Sequence, residues 1–313
     1  MSKKLILRLS NEMGNQMFMY ASAYSIAKKL NRKLYIDDET AFLLKKNVSK
    51  FGLDFFNISA EFAPNKLKFK NLYGRIKRKF LIKADFFRLK KKFYIEKKDR
   101  KKITKYSDVF NKMIFDDNVF LEGHFESEKY FQYYKNEIIE EFHIKDQNKL
   151  KNNPYYDEIN KTNSVSICLR QNRFTEGKGQ NTTINMNKSS NFSKEQINYI
   201  NKAAGLIQSK ISKANFFLWS NDFSNIDNKM FNFKYKEIKL DQKNEIPDNR
   251  ILSLFLLTQC NHFIVTASTF NWWGAWLSQK NNKIVFRPSD KFFKEFYLNN
   301  LDFWPQNWEI VDA

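Results

Sequence analysis

The pattern of apolar and polar positions predicts two α/β series, one in each half of the chain. In the first half, 5–9 is an apolar run typical of a buried strand, 16–30 has apolar residues at helical spacing, and 33–36 is a second strand. Further along, 118–123 predicts a strand and 127–142 a helix. This order is a βαβ opening, with an amphipathic helix after the first strand.

The second half repeats the alternation of strands and helices. Strands are predicted at 164–169, 215–219, 235–238, 262–266 and 283–286, and helices at 194–210, 248–259 and 272–278. The polar stretch 145–161 contains Pro154 and lacks a sustained period, which indicates a connection between domains. We therefore expect an α/β protein with parallel sheets and two domains, 1–150 and 151–313.

Polar residues follow three of the predicted strands in the second half. Arg170 comes after the first strand, Asp222 after the second, and Ser268 and Thr269 after the fourth. The carboxyl ends of parallel strands share one edge of the sheet, where α/β proteins bind ligands. A strand that passes into a helix leaves free backbone N–H groups, and an arginine can bind a diphosphate at two oxygens. The pattern predicts a diphosphate site that needs no magnesium, whereas a surface ion pair is the alternative for Arg170 alone.

Composition narrows the choice of function. No Walker A loop, GxGxxG motif, or His or Cys cluster with zinc spacing is found in the sequence, so no metal is expected. No apolar run approaches the roughly 20 residues that span a bilayer, and the first residues do not resemble a signal peptide, so a cytoplasmic location is expected. Cys168 and Cys260 lie in apolar runs and are interpreted as reduced core thiols.

Most of the formal charge of +20 lies in one segment. The basic insertion 66–105 has 18 Lys and Arg against three acidic residues, interleaved with Phe, Tyr, Leu and Ile. Three interpretations remain open: a solvated insertion that reflects compositional bias, a surface that contacts an anionic membrane at the cytoplasmic side, and a face that binds nucleic acid.

Six motifs extend from residue 14 to residue 293. They are GNQMFMYASAY (14–24), FLEGHFESEKYF (120–131), VSICLRQNRF (165–174), FFLWSND (216–222), ASTFNWWGAWL (267–277) and IVFRPSDKFF (284–293). In this order they resemble glycosyltransferase family 11, whose members are α-1,2-fucosyltransferases that move L-fucose from GDP-fucose to a galactose. The resemblance implies a GT-B-like architecture of two facing Rossmann-like domains, an inverting and metal-independent reaction, and no cofactor.

The family's HxRRxD motif is altered in this chain. The resemblance implies that its arginine stabilises the GDP leaving group, and here the motif is represented by Arg170, with Cys168 and Gln171 at the usual histidine and second arginine positions. Arg173 is a candidate for the second positive charge. Glu12 replaces part of the family's glycine-rich turn before GNQM.

These considerations assign the candidate residues. The expected catalytic residues are Arg170 and Glu176; the donor-binding residues are Asn15, Arg173, Asp222, Ser268, Thr269 and Phe270; the acceptor-side residues are Glu12, His124 and Glu126. Glu176, Glu126, Glu12 and Asp222 all remain alternatives for a general base. Taken alone, Asn15 is more typical of a helix cap, and Trp272 and Trp273 are more typical of core packing than of stacking on a sugar.

The expected function is transfer of L-fucose from GDP-fucose to the 2-hydroxyl of a terminal galactose in a surface-glycan precursor such as an O-antigen. A lipid-linked glycan is one form of acceptor that this function allows. Transfer of another nucleotide-activated deoxysugar is the alternative among enzymes, because the altered arginine motif permits a changed donor. The other classes are a basic nucleic-acid-binding protein, which the resemblance disfavours, and a non-catalytic glycan-binding relative.

Overall fold

The structure is a computed structural model that describes residues 2–43, 50–96, 105–176, 182–240, 248–289 and 302–312. Its contacts divide the chain into two compact units, Met1–Lys145 with Asn299–Pro305 and Asp146–Leu298 with Gln306–Ala313. The predicted domain boundary lies between residues 150 and 151, and the prediction assigns all residues after it to the second domain. In the structure a short C-terminal piece belongs to the first unit, where Asp302 pairs with Lys129.

The first unit is built on a parallel sheet in the order β3-β2-β1-β5-β4. Its strands are β1 Lys4–Arg8, β2 Lys33–Asp37, β3 Glu61–Phe62, β4 Lys91–Ile95 and β5 Phe115–Glu122, and its helices are α1 Met13–Lys29, α2 Leu72–Asp85 and α3 Lys135–Glu141. The strand order reverses between β1 and β5. Ligands of open α/β sheets bind beyond the carboxyl ends of the strands at such a switch point.

Two predictions for the first unit were wrong in detail. α1 is not amphipathic, because most of its circumference is buried, including Phe18 and Tyr20. The predicted helix 127–142 is instead two 3₁₀ turns, Glu128–Tyr130 and Gln132–Tyr134, followed by α3. The break lies at Phe131, whose φ of −132° does not fit an α-helix and whose ring is fully buried.

The second unit also contains a parallel sheet, in the order β11-β10-β9-β6-β7-β8. Its strands are β6 Asn163–Leu169, β7 Ala214–Ser220, β8 Tyr235–Glu237, β9 His262–Ile264, β10 Val285–Pro288 and β11 Glu309–Val311, and its helices are α4 Gln147–Leu150, α5 Pro154–Asn160, α6 Thr183–Lys210, α7 Asn249–Gln259 and α8 Thr269–Leu277. The order reverses between β6 and β9, which places the second switch point there.

Several boundaries in the second unit differ from the predicted ones. The stretch 145–161 is not an irregular connection, since Asn153 caps α5 by accepting from the Tyr155 N–H and Pro154 occupies the first turn, where its missing N–H costs nothing. α6 begins 11 residues before the predicted start at 194, behind a cap by Thr182. Trp272 and Trp273 are fully buried, so the prediction that they pack in the core is confirmed. Both cysteines are free thiols, as predicted.

Candidate active site

The loop that follows β6 is held by two side-chain amides. The N–H of Arg170 donates to Oε1 of Gln196 on α6 at 3.4 Å, and Nε2 of Gln196 donates to the Arg170 carbonyl at 3.0 Å. The N–H of Gln171 donates to Oδ1 of Asn221 at 2.7 Å, and Nδ2 of Asn221 returns to the Gln171 carbonyl at 3.2 Å. These reciprocal bonds fix the backbone that carries Arg170.

The loop between β9 and α8 lies directly beside the β6 loop. Thr266 donates to the carbonyl of Cys168 at 2.7 Å, and Nη1 of Arg173 donates to the carbonyl of Ala267 at 2.8 Å. The guanidinium of Arg173 also lies 5.5 Å from the ring centroid of Phe192. Both bonds join the strand tips at the switch point and bring a positive charge to the start of α8.

α8 begins with free backbone donors at this edge. Ser268 is its N-cap residue with extended backbone, and its side chain makes no capping hydrogen bond. Thr269 and Phe270 form the first turn and are partly exposed. The N–H groups of a first helical turn point away from the helix and favour an anion. The second switch point therefore combines two arginines with a helix N-terminus.

The guanidinium of Arg170 is engaged by a carboxylate of the same loop. Its Nη2 lies 2.6 Å from Oε2 of Glu176, and the two side chains are 42% and 38% exposed. The sequence placed these residues together as catalytic candidates, and the structure brings them into direct contact. In this structure the partner of the Arg170 guanidinium is therefore a carboxylate.

Asp222 lies on the other side of the β6 loop. Its carboxylate accepts from Nδ2 of Asn172 at 3.3 Å and from the N–H and hydroxyl of Ser224 at 2.9 and 2.6 Å. The bonds from Ser224, with a smaller contribution from Asn172, hold the pKa of Asp222 below its ordinary value. Asp222 therefore remains a hydrogen-bond acceptor that shapes the loop.

A cavity of about 610 Å³ adjoins the same loop. Gln171, Asn172 and Thr175 form one wall, and Ser190 and Ser193 of α6 form another. Its volume is within the range of about 300–1,000 Å³ of small-molecule sites. The second unit thus offers a ligand two neighbouring places, the arginine edge and this cavity.

The switch point of the first unit holds a histidine between an amide and a carboxylate. Nδ2 of Asn11 lies 2.7 Å from Nε2 of His124, and Nδ1 of His124 lies 3.6 Å from Oε1 of Glu126. With the amide in this orientation Nε2 accepts, so the ring proton is on Nδ1 and faces Glu126. Asn11 adopts the left-handed conformation that asparagine tolerates, with φ of 64°.

Glu96 shapes the turn that presents His124. Its carboxylate accepts from the N–H groups of His124 at 2.7 Å and Phe125 at 3.1 Å. Gly123 in this turn has φ of +156°, and a Cβ there would lie 2.4 Å from the Cβ of Glu96. Only glycine allows the turn and the carboxylate to approach this closely.

The start of α1 carries the remaining candidates of the first unit. Glu12 is the exposed N-cap residue, and its carbonyl accepts from the N–H groups of Asn15 and Gln16, both at 3.0 Å. The buried Gln16 side chain donates to the carbonyls of Asn11 and Lys50 and accepts from the Gly52 N–H. Gln16 is therefore a structural clamp for the loop that holds Asn11.

The sequence patterns did not assign a role to the residues that support both edges. Asn11, Glu96, Gln196 and Asn221 each bond a loop that carries a candidate residue, but none has a recognisable spacing to it in sequence. The only signal was their position: Glu96 and Asn221 directly follow the last residues of β4 and β7, and Asn11 lies three residues after β1. Within the described ranges, no group of three or more His, Cys, Asp or Glu residues is arranged to hold a metal ion.

Comparison with known proteins identifies the family to which the sequence belongs. The sequence matches glycosyl transferase family 11 over residues 2–310. It is 26% identical over 317 aligned positions to an alpha-1,2-colitosyltransferase of Escherichia coli, covering 98% of this chain and 99% of that protein. It is 24% identical to the O-antigen biosynthesis glycosyltransferase WbnK of Escherichia coli, covering 91% of this chain and 93% of that protein.

Solved structures agree with the fold. A mutant of FUT1 from Arabidopsis thaliana in complex with GDP aligns over 100% of this chain and 77% of that chain, with a TM-score of 0.54 and 11% identity. The fucosyltransferase NodZ from Bradyrhizobium aligns over 90% and 97%, with a TM-score of 0.51 and 14% identity. The predicted α/β, GT-B-like class with parallel sheets is confirmed. Since the family match extends over almost the whole sequence, this chain belongs to glycosyl transferase family 11 and is a glycosyltransferase.

Proposed function

We propose that the protein transfers L-fucose from GDP-fucose to the 2-hydroxyl of a terminal galactose in a surface-glycan precursor, with inversion and without a metal. The observation that carries the proposal is the bond from Arg173 to the Ala267 carbonyl, because it sets a guanidinium beside the N-terminus of α8 and next to Arg170 on one loop. Two guanidinium groups and a helix N-terminus are a suitable environment for a diphosphate.

In this mechanism the acceptor hydroxyl attacks the anomeric carbon of fucose. The bond between that carbon and the β-phosphate oxygen breaks at the same time. Negative charge accumulates on the diphosphate as the bond lengthens. Arg170, Arg173 and the N–H groups of Thr269 and Phe270 stabilise that charge more strongly than the intact ester. Removal of one such donor typically costs about 3 kcal/mol, or about a hundredfold in rate.

The pair of Arg170 with Glu176 implies an exchange on donor binding. The diphosphate replaces Glu176 on the guanidinium, and the exchange is inexpensive because the pair is well exposed to solvent. Glu176 then acts as the resting partner of Arg170. This role differs from that of a general base, and Glu176→Gln separates the two.

His124 is the candidate in the first unit for the acceptor's proton. Its Nε2 accepts from Asn11 in the present geometry, and Glu126 faces the opposite ring nitrogen, where it stabilises an imidazolium. An acceptor hydroxyl that replaces Asn11 at Nε2 donates to the same lone pair. Glu12 and Asn15 are proposed to contact the substrates from the start of α1.

Transfer of a different deoxysugar is the second candidate function. The colitosyltransferase of Escherichia coli is 26% identical over nearly the full length of both chains. Colitose is fucose without the hydroxyl at carbon 3, so GDP-fucose and GDP-colitose differ by one group that the protein can bind. A site that hydrogen-bonds this hydroxyl rejects colitose strongly, whereas an apolar site discriminates weakly.

A donor panel tests the proposal. The purified protein is incubated with GDP-fucose, GDP-colitose and GDP-mannose, each with lactose and other β-galactosides, with and without EDTA. We expect transfer from GDP-fucose to the 2-hydroxyl, located by NMR, with undiminished rate in EDTA. Transfer from GDP-colitose alone supports the second candidate, and no turnover of any GDP-sugar contradicts both.

A further inference from the structure

α2 presents an apolar face outward. Its residues Leu72, Tyr73, Ile76 and Phe80 recur at helical spacing, and the turn after the helix adds Phe86, Phe87 and Leu89. These seven side chains, here called the apolar face, are between 58% and 87% exposed. Exposed clusters of large apolar side chains mark surfaces that bind a partner.

The opposite side of α2 is firmly attached to the sheet. Leu81 and Ile82 pack against the core cluster of the first unit, and Arg78 forms a two-pronged pair with Glu122 at the end of β5. The carboxylate of Asp85 accepts from two N–H groups of β4, at 2.8 and 3.1 Å. The apolar face is therefore the outer side of a docked helix.

Lysines surround the apolar face. Lys77, Lys79, Lys83 and Lys90 are exposed and form no ion pair with any residue that the structure describes. Of the three arginines in this stretch, Arg78 pairs with Glu122 and Arg88 with Asp116, and Arg75 is only partly exposed. The part of the insertion at 97–104 lies outside the described residues. The charge available to a partner at this surface is therefore carried by flexible lysines.

We propose that the apolar face and its lysines dock the protein on an anionic lipid bilayer. A helix that lies in a membrane interface buries its apolar side chains among the acyl chains while lysines contact the lipid phosphates. The spatial pattern here matches this arrangement, with aliphatic and aromatic side chains along one line and positive charge beside it. The attraction to acidic lipids adds about a fivefold gain in affinity for each lysine near the surface.

The same features disfavour other occupants. Nucleic-acid surfaces combine stacked aromatic rings with available arginines. Four of the seven side chains here are aromatic, but Leu72, Ile76 and Leu89 stand among them, and Arg78 and Arg88 are paired with carboxylates. A second copy of the chain would bring two sets of unpaired lysines together. An anionic bilayer complements both the charge and the apolar character of the surface.

Vesicle sedimentation of the full chain tests the proposal. Binding is measured to vesicles of phosphatidylcholine and to vesicles of phosphatidylcholine with phosphatidylglycerol. We expect binding to the mixed vesicles only, weakened by salt. The triple variant Lys77, Lys79 and Lys83→Gln is expected to lose about a hundredfold in affinity, and Ile76→Ser with Phe80→Ser at least about tenfold for each substitution.

The matched control is the triple variant Lys202, Lys229 and Lys234→Gln, which makes the same charge change on exposed lysines of the second unit. It is expected to bind vesicles like the wild type. Three outcomes overturn the proposal. The control triple and the test triple lose the same affinity for anionic vesicles, the wild type does not bind anionic vesicles, or the protein sediments as a dimer that Ile76→Ser abolishes. Binding of nucleic acid that is tighter than binding of anionic vesicles also overturns it. All substituted side chains are exposed, and thermal unfolding verifies that each variant is folded.

Discussion

The substitution Glu176→Gln tests whether GDP displaces the Glu176 carboxylate from the Arg170 guanidinium. It removes the charge that contacts the guanidinium at 2.6 Å and keeps the size of the side chain. Both side chains are about 40% exposed, and exposed pairs of this kind contribute about 0.2–1 kcal/mol. Because GDP no longer has to displace a carboxylate, we expect its Kd to fall by a factor of about 1.4 to 5.

A general base behaves differently. If Glu176 removed the acceptor's proton, the variant would bind GDP as before and kcat would fall by about 10²–10⁴. We expect kcat of Glu176→Gln to stay within about tenfold of the wild type. Titration calorimetry with GDP gives the Kd, and initial rates with saturating donor and acceptor give kcat.

Two controls make the result specific to the pair. Glu195→Gln makes the same charge change on α6 and is expected to leave the Kd unchanged. In an Arg170→Ala background, Glu176→Gln is expected to have no effect on the Kd, since the guanidinium that it frees is absent. Tighter GDP binding that persists without Arg170, or a large fall in kcat at unchanged Kd, refutes the exchange.

Three further predictions concern single residues. Arg173→Ala is expected to weaken GDP binding by about 10- to 150-fold through loss of charge-assisted bonds, with partial recovery in Arg173→Lys, and equal calorimetric Kd values for wild type and both variants would contradict this. Gly123→Ala is expected to lower the free energy of unfolding by at least about 2 kcal/mol in urea denaturation, since a Cβ at φ of +156° would meet Glu96; an unchanged midpoint would show that the turn adjusts. Burial lowers the pKa of His262 below 6.5, so the unfolded chain binds a proton more readily and stability falls, by up to about 1.4 kcal/mol per pH unit, as pH drops below 6.5. His262→Asn should lack this dependence in urea titrations at several pH values.

The local patterns predicted the parts of the fold that depend on local sequence. The apolar runs of β1 and β6 and the apolar spacing of α7 were recognisable because a buried strand and a half-buried helix each have a characteristic period. The same reasoning missed β3 and the start of α6. β3 is only two residues long, and α6 begins in a polar stretch where capping by Thr182, rather than apolar spacing, marks the start.

The candidate site was predictable in its position more than in its contacts. Parallel strands place Arg170 and Ser268 at one edge, and this follows from strand order alone. Three contacts depend on loop conformations that tertiary contacts determine. They are the ion pair of Arg170 with Glu176, the hydrogen bond from Arg173 to the Ala267 carbonyl, and the hydrogen bonds of Glu96 to the turn at Gly123. Contacts within an irregular loop, and contacts between residues distant in sequence, have no periodic signal.

A crystal structure of the protein with GDP bound tests the central claim most directly. The account predicts that the diphosphate lies within hydrogen-bonding distance of the Arg170 and Arg173 guanidinium groups and of the N–H groups of Thr269 and Phe270, with Glu176 displaced from Arg170. A diphosphate in the cavity between the 171–175 loop and α6, in contact with neither arginine, would contradict it.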